Sequence, residues 1–239
     1  MGKSGAGIAS FCLAVFSKSA VPGRVKTRLI GELSAEQAAD LHAAFLADLI
    51  EEMRRGRFDL RVAWALDPGE LVPSLAVESM RQSGEDLGER LYGALADLAS
   101  EYPFVAAVGS DHPGLSASRV RQAFDKLVAG AEVVLGPAGD GGYYLVAARG
   151  QALRREIFAD IPWSSSDVLR ATLDTCQRLG MTIDLLPTLP DVDTAEDLDR
   201  LISRLERDPS LECPRTRALL TSWKRLSVSD SRGESHENP

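Results

Sequence analysis

A chain of 239 residues, 44% of them hydrophobic, is long enough to bury a full core within one domain. Its formal net charge of −8 argues against general nucleic-acid binding, because no extended basic surface is implied, while leaving room for a local basic pocket. Three cysteines (Cys12, Cys176 and Cys213) are odd in number and lack CxxC spacing, which argues against a disulfide framework and suits a reducing cytoplasm.

The N-terminus carries three motifs that fail on inspection. Gly2–Ser4 (GKS) lacks the upstream glycine and strand of a P-loop. Ala6 stands where myristoylation wants Ser or Thr. The apolar run Ile8–Phe16 has no convincing cleavage site and runs straight into a basic turn, unlike a signal peptide. No stretch approaches the roughly 18 apolar residues of a membrane span, so a soluble protein with no membrane partner is expected.

Phe11–Ser17 (FCLAVFS) is short and mostly apolar, as a buried strand should be. Lys18–Arg28 (KSAVPGRVKTR) follows it with four cations and no acid. A solvated charged loop would explain that run alone. A Pro-Gly turn after a first strand also suits polyphosphate, which needs accessible backbone N–H groups and several cations. Ser34 and Gln37 have the form of a capping box, and Ala38, Leu41, Phe45, Leu49 and Met53 recur at helical spacing, predicting a helix over 35–55. Phe58–Leu66 alternates as a strand and stops at Asp67-Pro68-Gly69. Residues 75–80 offer another short strand, 86–100 a helix and 104–109 (FVAAVG) a strongly apolar strand.

Beyond these, the pattern predicts a helix over 116–129, strands over 132–135 and 142–148, and a helix over 166–179 that Gly180 can terminate. A strand over 181–186 and a helix over 195–206, capped by Thr194, complete the series. The alternation implies one α/β domain: a mostly parallel sheet with helices on both faces. Ligands of such sheets bind at the carboxyl ends of the strands, near a switch in strand order. Lys18–Arg28, Ser110–Asp111 and Gly136–Gly141 each follow a strand and so belong on that rim. Residues 11–207 would form the domain, preceded by an extension over 1–10 and followed by a helical extension over 208–226. The polar segment 227–239 is expected to be disordered.

Three strand-end motifs carry chemistry. In Gly109–Gly114 (GSDHPG), Asp111 is placed to hold Mg²⁺ together with phosphate oxygens, or simply to shape a Pro-Gly turn. His112 beside it is more readily structural than catalytic. Gly136–Gly142 (GPAGDGG) has four glycines in seven residues before Tyr143 and Tyr144. The main chain there can approach a ligand closely, or the segment is a flexible hairpin. Asp191–Asp197 (DVDTAED) fails as a calcium loop, having Glu196 in place of glycine and Ile202 at the twelfth position. It reads instead as a helix start with Asp191 and Asp193 free to face the rim. Gln82, ahead of the Gly84–Arg90 junction, could read a base edge.

Together, FSKSAVPGRVKTRL, QSGEDLGERL, GSDHPGL, GPAGDGGYYLV, IPWSSSDVL and LPDVDTAEDL resemble, in order, a family of bacterial proteins with a MobA-like nucleotide-diphospho-sugar transferase (GT-A) fold. That family was long listed as a domain of unknown function, and its members are often labelled glycosyltransferases, including an arsenosugar-biosynthesis type. The resemblance spans Phe11 to Leu205. More distantly, the chain is similar to 2-phospho-lactate guanylyltransferases.

The resemblance implies a phosphate-binding turn of Gly23, Arg24, Lys26 and Arg28 with Lys18 beside it, and nucleoside contacts from Gln82, Gly84, Asp86 and Gly88. It implies Mg²⁺ or Mn²⁺ on Asp111 with Asp193 as a second ligand. Gly139, Asp140, Gly141, Gly142 and Tyr143 would meet the substrate, with Lys26, Asp111 and Asp140 as the catalytic set. Two departures stand out: Pro113 replaces the second acid of a GT-A Asp-x-Asp, and the basic turn lacks the full pattern of sugar nucleotidyltransferases. The expected activity is glycosyl transfer from a nucleotide-sugar to a small acceptor. Nucleotidyl transfer from an NTP is the alternative, and a non-catalytic nucleotide-binding module a third. No oligomeric state is readable.

Overall fold

Alternate residues of the first strand enter different apolar clusters, and this sets the layering of the molecule. The computed structural model describes residues 10–226, so most of the expected N-terminal extension and the tail over 227–239 lie outside the described residues. In β1 (Phe11–Lys18), Leu13 and Val15 point to one face while Cys12 and Ala14 point to the other, all four fully buried. Period-two side chains that are apolar on both sides require a cover on both sides.

The remaining elements follow in the order the pattern predicts: α1 (Ala35–Met53), β2 (Asp59–Ala65), β3 (Glu78–Arg81), α2 (Leu87–Ala99), β4 (Phe104–Gly109), α3 (Ala117–Ala129), β5 (Val133–Pro137), β6 (Tyr143–Arg149), α4 (Val168–Arg178), β7 (Ile183–Leu185), α5 (Ala195–Arg207) and α6 (Pro214–Ser222). Leu49, Ile50 and Met53 of α1 and Val120, Phe124 and Leu127 of α3 cover one face. Leu91, Leu95 and Leu98 of α2 with Cys176 of α4 cover the other. The sequence-legible capping box of Ser34 with Gln37 forms, and the expected Thr194 cap forms with Asp197 as a reciprocal partner, making a second box.

The seven strands are ordered β3-β2-β1-β4-β6-β5-β7. All pairings are parallel except those of β6, which runs antiparallel to both β4 and β5. The chain steps outward from β1 to β2 and β3, then returns to place β4 on the other side of β1. The order therefore reverses between β1 and β4, and a crevice opens beyond their carboxyl ends. The β5–β6 loop reaches the same rim because β5 points that way.

A third cluster lies behind this rim. Leu29 of the basic turn, Leu41 and Phe45 of α1, Val192, Leu198, Leu201 and Leu205 of the α5 region, and Leu220 of α6 pack together. Asp48 of α1, 4% exposed, fixes α6 by accepting the backbone N–H groups of Arg215 (2.9 Å) and Thr216 (2.8 Å). The C-terminal helix is thus tied to the body of the fold. Replacing Asp48 with Ala leaves two donors of the first helical turn without an acceptor, so stability in urea should fall by about 1–3 kcal/mol.

Candidate functional site

The crevice is built from the basic turn after β1, the turn after β4, the β5–β6 loop and the segment before α5. In the first of these, Arg24 N–H donates to Val21 O (3.0 Å), and Gly23 sits at φ +77°, a conformation that favours glycine. Val25 and Leu29 anchor the turn in the interior. That leaves Arg24 and Arg28 outward, with side chains 60% and 72% exposed, and turns Lys26 inward with only 2% exposed. Lys26 adopts a left-handed backbone (φ 48°, ψ 37°) just before a single 3-10 turn over Thr27–Leu29.

Lys26 Nζ is surrounded by acceptors. It lies 2.6 Å from Asp111 Oδ1, 3.0 Å from Asp193 Oδ1 and 2.7 Å from the Val192 carbonyl. The Phe45 ring lies behind it, its centroid 5.8 Å away. Burial opposes ionisation of Asp111, but the Lys26 ammonium and its hydrogen bond outweigh that and hold the carboxyl below its ordinary range. Val192 N–H also donates to Asp111 O (3.2 Å), lacing the two acidic loops together.

Two histidines flank Asp111. His42 of α1 places Nε2 3.0 Å from the Lys18 carbonyl and 3.2 Å from Ser17 Oγ, with Nδ1 3.9 Å from Asp111 Oδ1. His112 Nδ1 lies 3.3 Å from the Pro190 carbonyl, and its ring meets Tyr144. Burial lowers the pKa of both below the ordinary histidine value, which favours the uncharged rings.

Arg28, Asp111 and Asp193 form a sill between two lobes of the cleft. One lobe, of about 410 Å³, is basic: Lys18, Arg24, Arg28 and Arg90 line it, with His42 and Gln82. It continues along Ser19, Asp67, Glu70 and Gly84 into a further groove of about 700 Å³. The other lobe, of about 470 Å³, is acidic and aromatic: Asp111, Asp140, Asp191 and Asp193 line it with Phe16, Tyr143, Tyr144, Trp163 and Ser164–Ser166. Asp191 is pushed above its ordinary value by burial first, then by the neighbouring charges of Asp140 and Asp193.

Several predicted residues sit differently from expectation. Lys26 lines the basic lobe with only 2% of its side chain exposed and is committed to three acceptors. The Gln82 amide donates to the Ala63 carbonyl (2.8 Å) instead of standing free. Asp86 caps α2 by accepting Glu89 N–H (2.8 Å), and with Gly88 it lines a separate cavity of about 180 Å³ beside Phe158. A Cβ on Gly88 would meet Phe158 O at 2.3 Å, so this glycine serves close packing of α2. Gly139 has open space around it and does not line either lobe. Gly141 (φ +90°) is pressed against Ser166, where a Cβ would lie 2.2 Å from the carbonyl oxygen. Asp140 Oδ1 accepts Gly142 N–H (2.9 Å) and shapes the loop that lines the acidic lobe. Tyr143 packs edge-on against Trp163, 6.2 Å between ring centroids.

His42, Arg90 and Trp163 carry no assignment from sequence. His42 could have been noticed, because it sits among Leu41 and Phe45 on the buried stripe of α1.

Among the described residues, no group of three or more His, Cys, Asp or Glu side chains converges as a metal cage. Asp111 and Asp193 nonetheless each engage Lys26 through Oδ1, and Asp193 Oδ2 is 3.9 Å from Arg28. Mg²⁺ commonly takes one or two carboxylates and completes its shell with water and substrate phosphates, so this donor pair fits such an ion.

A family model described as "Uncharacterized protein conserved in bacteria (DUF2064)" matches residues 39–165, more than half of the chain. A search of curated protein sequences returned no match. Among solved structures, a provisionally assigned nucleotide-diphospho-sugar transferase from Desulfovibrio desulfuricans G20 is 29% identical. It covers 92% of this chain and 100% of its own, with a TM-score of 0.83. A cytidylyltransferase from Leptospira borgpetersenii is 12% identical over 92% of this chain and 99% of its own (TM-score 0.57). A 4-diphosphocytidyl-2C-methyl-D-erythritol synthase from Anaerococcus prevotii is 10% identical over 83% and 97% (TM-score 0.54). The last two share the fold.

The contrast between Arg28 and Lys26 is measurable. Arg28→Ala should leave thermal stability unchanged and weaken nucleotide binding by about 1.5–3 kcal/mol, as for a lost hydrogen bond to a charged group. Lys26→Ala should destabilise by on the order of 2 kcal/mol. That is below the value for a fully buried pair, because both carboxylates keep contact with water.

Proposed function

The chain belongs to the DUF2064 family, and from that premise we propose that it is a nucleotide-dependent transferase moving a glycosyl group from a nucleotide-sugar to a small acceptor. The observation that carries this is the division of charge in the cleft. The basic lobe suits a diphosphate, with Arg24, Arg28, Lys18 and Arg90 in reach of its oxygens. The adjoining lobe has four carboxylates, aromatic rings and three serines, and Arg28 at its edge. Carboxylates and hydroxyls accept and orient sugar OH groups, while rings cover the apolar faces of a sugar. A phosphorylated co-substrate, as most nucleotidyl transfers need, would meet like charge there.

In this proposal the donor lies across the sill, its diphosphate in the basic lobe and its sugar in the acidic one. Arg28 and Arg24 stabilise the charge that grows on the departing nucleoside diphosphate. Asp111 and Asp193 would hold Mg²⁺ or Mn²⁺, which when bound would neutralise part of that charge. Asp191, whose raised pKa makes it the better proton acceptor, takes the proton from the attacking acceptor hydroxyl. Asp140 orients the hydroxyls. The three cysteines are free and buried, which supports a reducing cytoplasm as the setting. Among the described residues no helix is long and apolar enough to cross a membrane.

The test is the product. Incubated with a panel of nucleotide-sugars and NTPs, each with Mn²⁺ and a mixture of small hydroxyl-bearing and phosphorylated acceptors, the protein should release nucleoside diphosphate from a nucleotide-sugar; release of pyrophosphate from an NTP would replace glycosyl with nucleotidyl transfer. Asp111→Asn should fold normally and lose a factor on the order of 10² or more in turnover, as for loss of one major electrostatic stabiliser. The pH profile offers a further check. Asp191 accepts a proton only when ionised, so activity should fall as pH drops through its raised pKa. Asp191→Asn should remove that acid limb along with most of the rate.

A further inference from the structure

We propose that Lys26 is a resident counter-cation, a positioning residue that holds Asp111 and Asp193 together while the cleft is empty, so that a divalent ion enters only along with a diphosphate. The inference rests on the transferase function proposed above. Lysine has three N–H donors and no acceptor. Three acceptors from two different loops lie within 3.0 Å of Nζ, namely Asp111 Oδ1, Asp193 Oδ1 and Val192 O. All three donors are spent, and none remains for a phosphate oxygen. A basic residue in a phosphate-binding turn therefore serves two carboxylates and not the phosphate.

The backbone agrees. Lys26 is a non-glycine residue at φ 48°, a conformation usually held only where the surroundings dictate it. Val25 and Leu29 are buried on either side, so the turn aims this one cation inward and its two arginines outward. Two carboxylates converging on one point repel each other unless a cation lies between them. Lys26 supplies that cation. It also satisfies one oxygen of each acid, which lowers the pair's attraction for a free divalent ion. A metal that brings phosphate ligands with it meets a site already in shape.

Differential scanning fluorimetry of the full chain tests this with Mn²⁺ alone and with Mn²⁺ plus inorganic pyrophosphate. Wild type should respond little to Mn²⁺ alone and clearly to the two together, because a ligand bound only by the folded state raises the melting point. Lys26→Met keeps most of the apolar stem of the side chain and removes its charge. It should melt lower in metal-free buffer, and Mn²⁺ alone should now stabilise it, with an apparent affinity at least about tenfold above wild type, roughly 1.4 kcal/mol. Adding Asp193→Asn to Lys26→Met should abolish the gain.

If Lys26→Met shows the wild-type response to Mn²⁺, Lys26 is a packing residue and the proposal fails. Should Lys26→Met not fold, Asp111→Asn/Asp193→Asn is compared with the same pair carrying Lys26→Met. The triple variant must be the more stable, since in the double variant a buried ammonium has lost both its carboxylates. A triple variant no more stable than the double overturns the proposal. A protein that releases no nucleoside diphosphate from any donor, yet gains Mn²⁺ affinity in Lys26→Met, would lose the glycosyl transfer proposed above and keep this role for Lys26.

Discussion

Burial of both faces of a largely parallel sheet is the constraint from which the rest of this molecule follows. Leu13 and Val15 must be covered from one side, Cys12 and Ala14 from the other, and no cover is available along the strand ends. Loops are therefore displaced to the two rims. Polar chemistry has nowhere to gather except on a rim, and the reversal of strand order between β1 and β4 decides where on it. Asp111 follows β4, the basic turn follows β1, and the acids of 191–193 arrive from the far edge of the sheet. Their meeting is a product of topology.

Within that crevice, charge is sorted. Cations from the first turn and from α2 crowd one lobe, and carboxylates from three separate loops crowd the other, with Arg28 on the sill between. The formal net charge of −8 says nothing of this arrangement. Sorting matters to the transfer proposed above, in which the transferred group would sit where the two fields meet and the departing diphosphate would be held on the positive side.

Much of the fold was legible in the chain itself because its signals are local. The Ser34–Gln37 box, the Thr194 cap, the α1 stripe, and the apolar runs of β1 and β4 all depend on neighbours within a few residues. The direction of β6 was not legible, since a buried apolar run looks the same whether it pairs parallel or antiparallel. Placing the basic turn, Asp111 and the glycine-rich loop on one rim needed only strand order. The fate of Lys26 needed more: its partner Asp193 lies 167 residues away, and no local pattern separates a cation aimed inward from its exposed neighbours. Gly88 and Asp86 misled for a related reason. A glycine at a helix start suits a ligand or a close helix contact equally well, and here Phe158 and Trp163 fill the space.

The cluster behind the rim has a bearing on how the protein would lose function. Leu29 belongs to the basic turn and Val192 to the acidic segment, yet both are packed by α5, α6 and the near end of α1. The buried side chains of α5 and α6 belong to this cluster and to neither of the sheet's two, and α6 is held to the body through α1, so local opening of these two helices can precede loss of the sheet. Such a partial opening would release both halves of the charged crevice at once. Hydrogen exchange in the C-terminal helices would then report on catalytic competence, while exchange in the central strands would report on global unfolding.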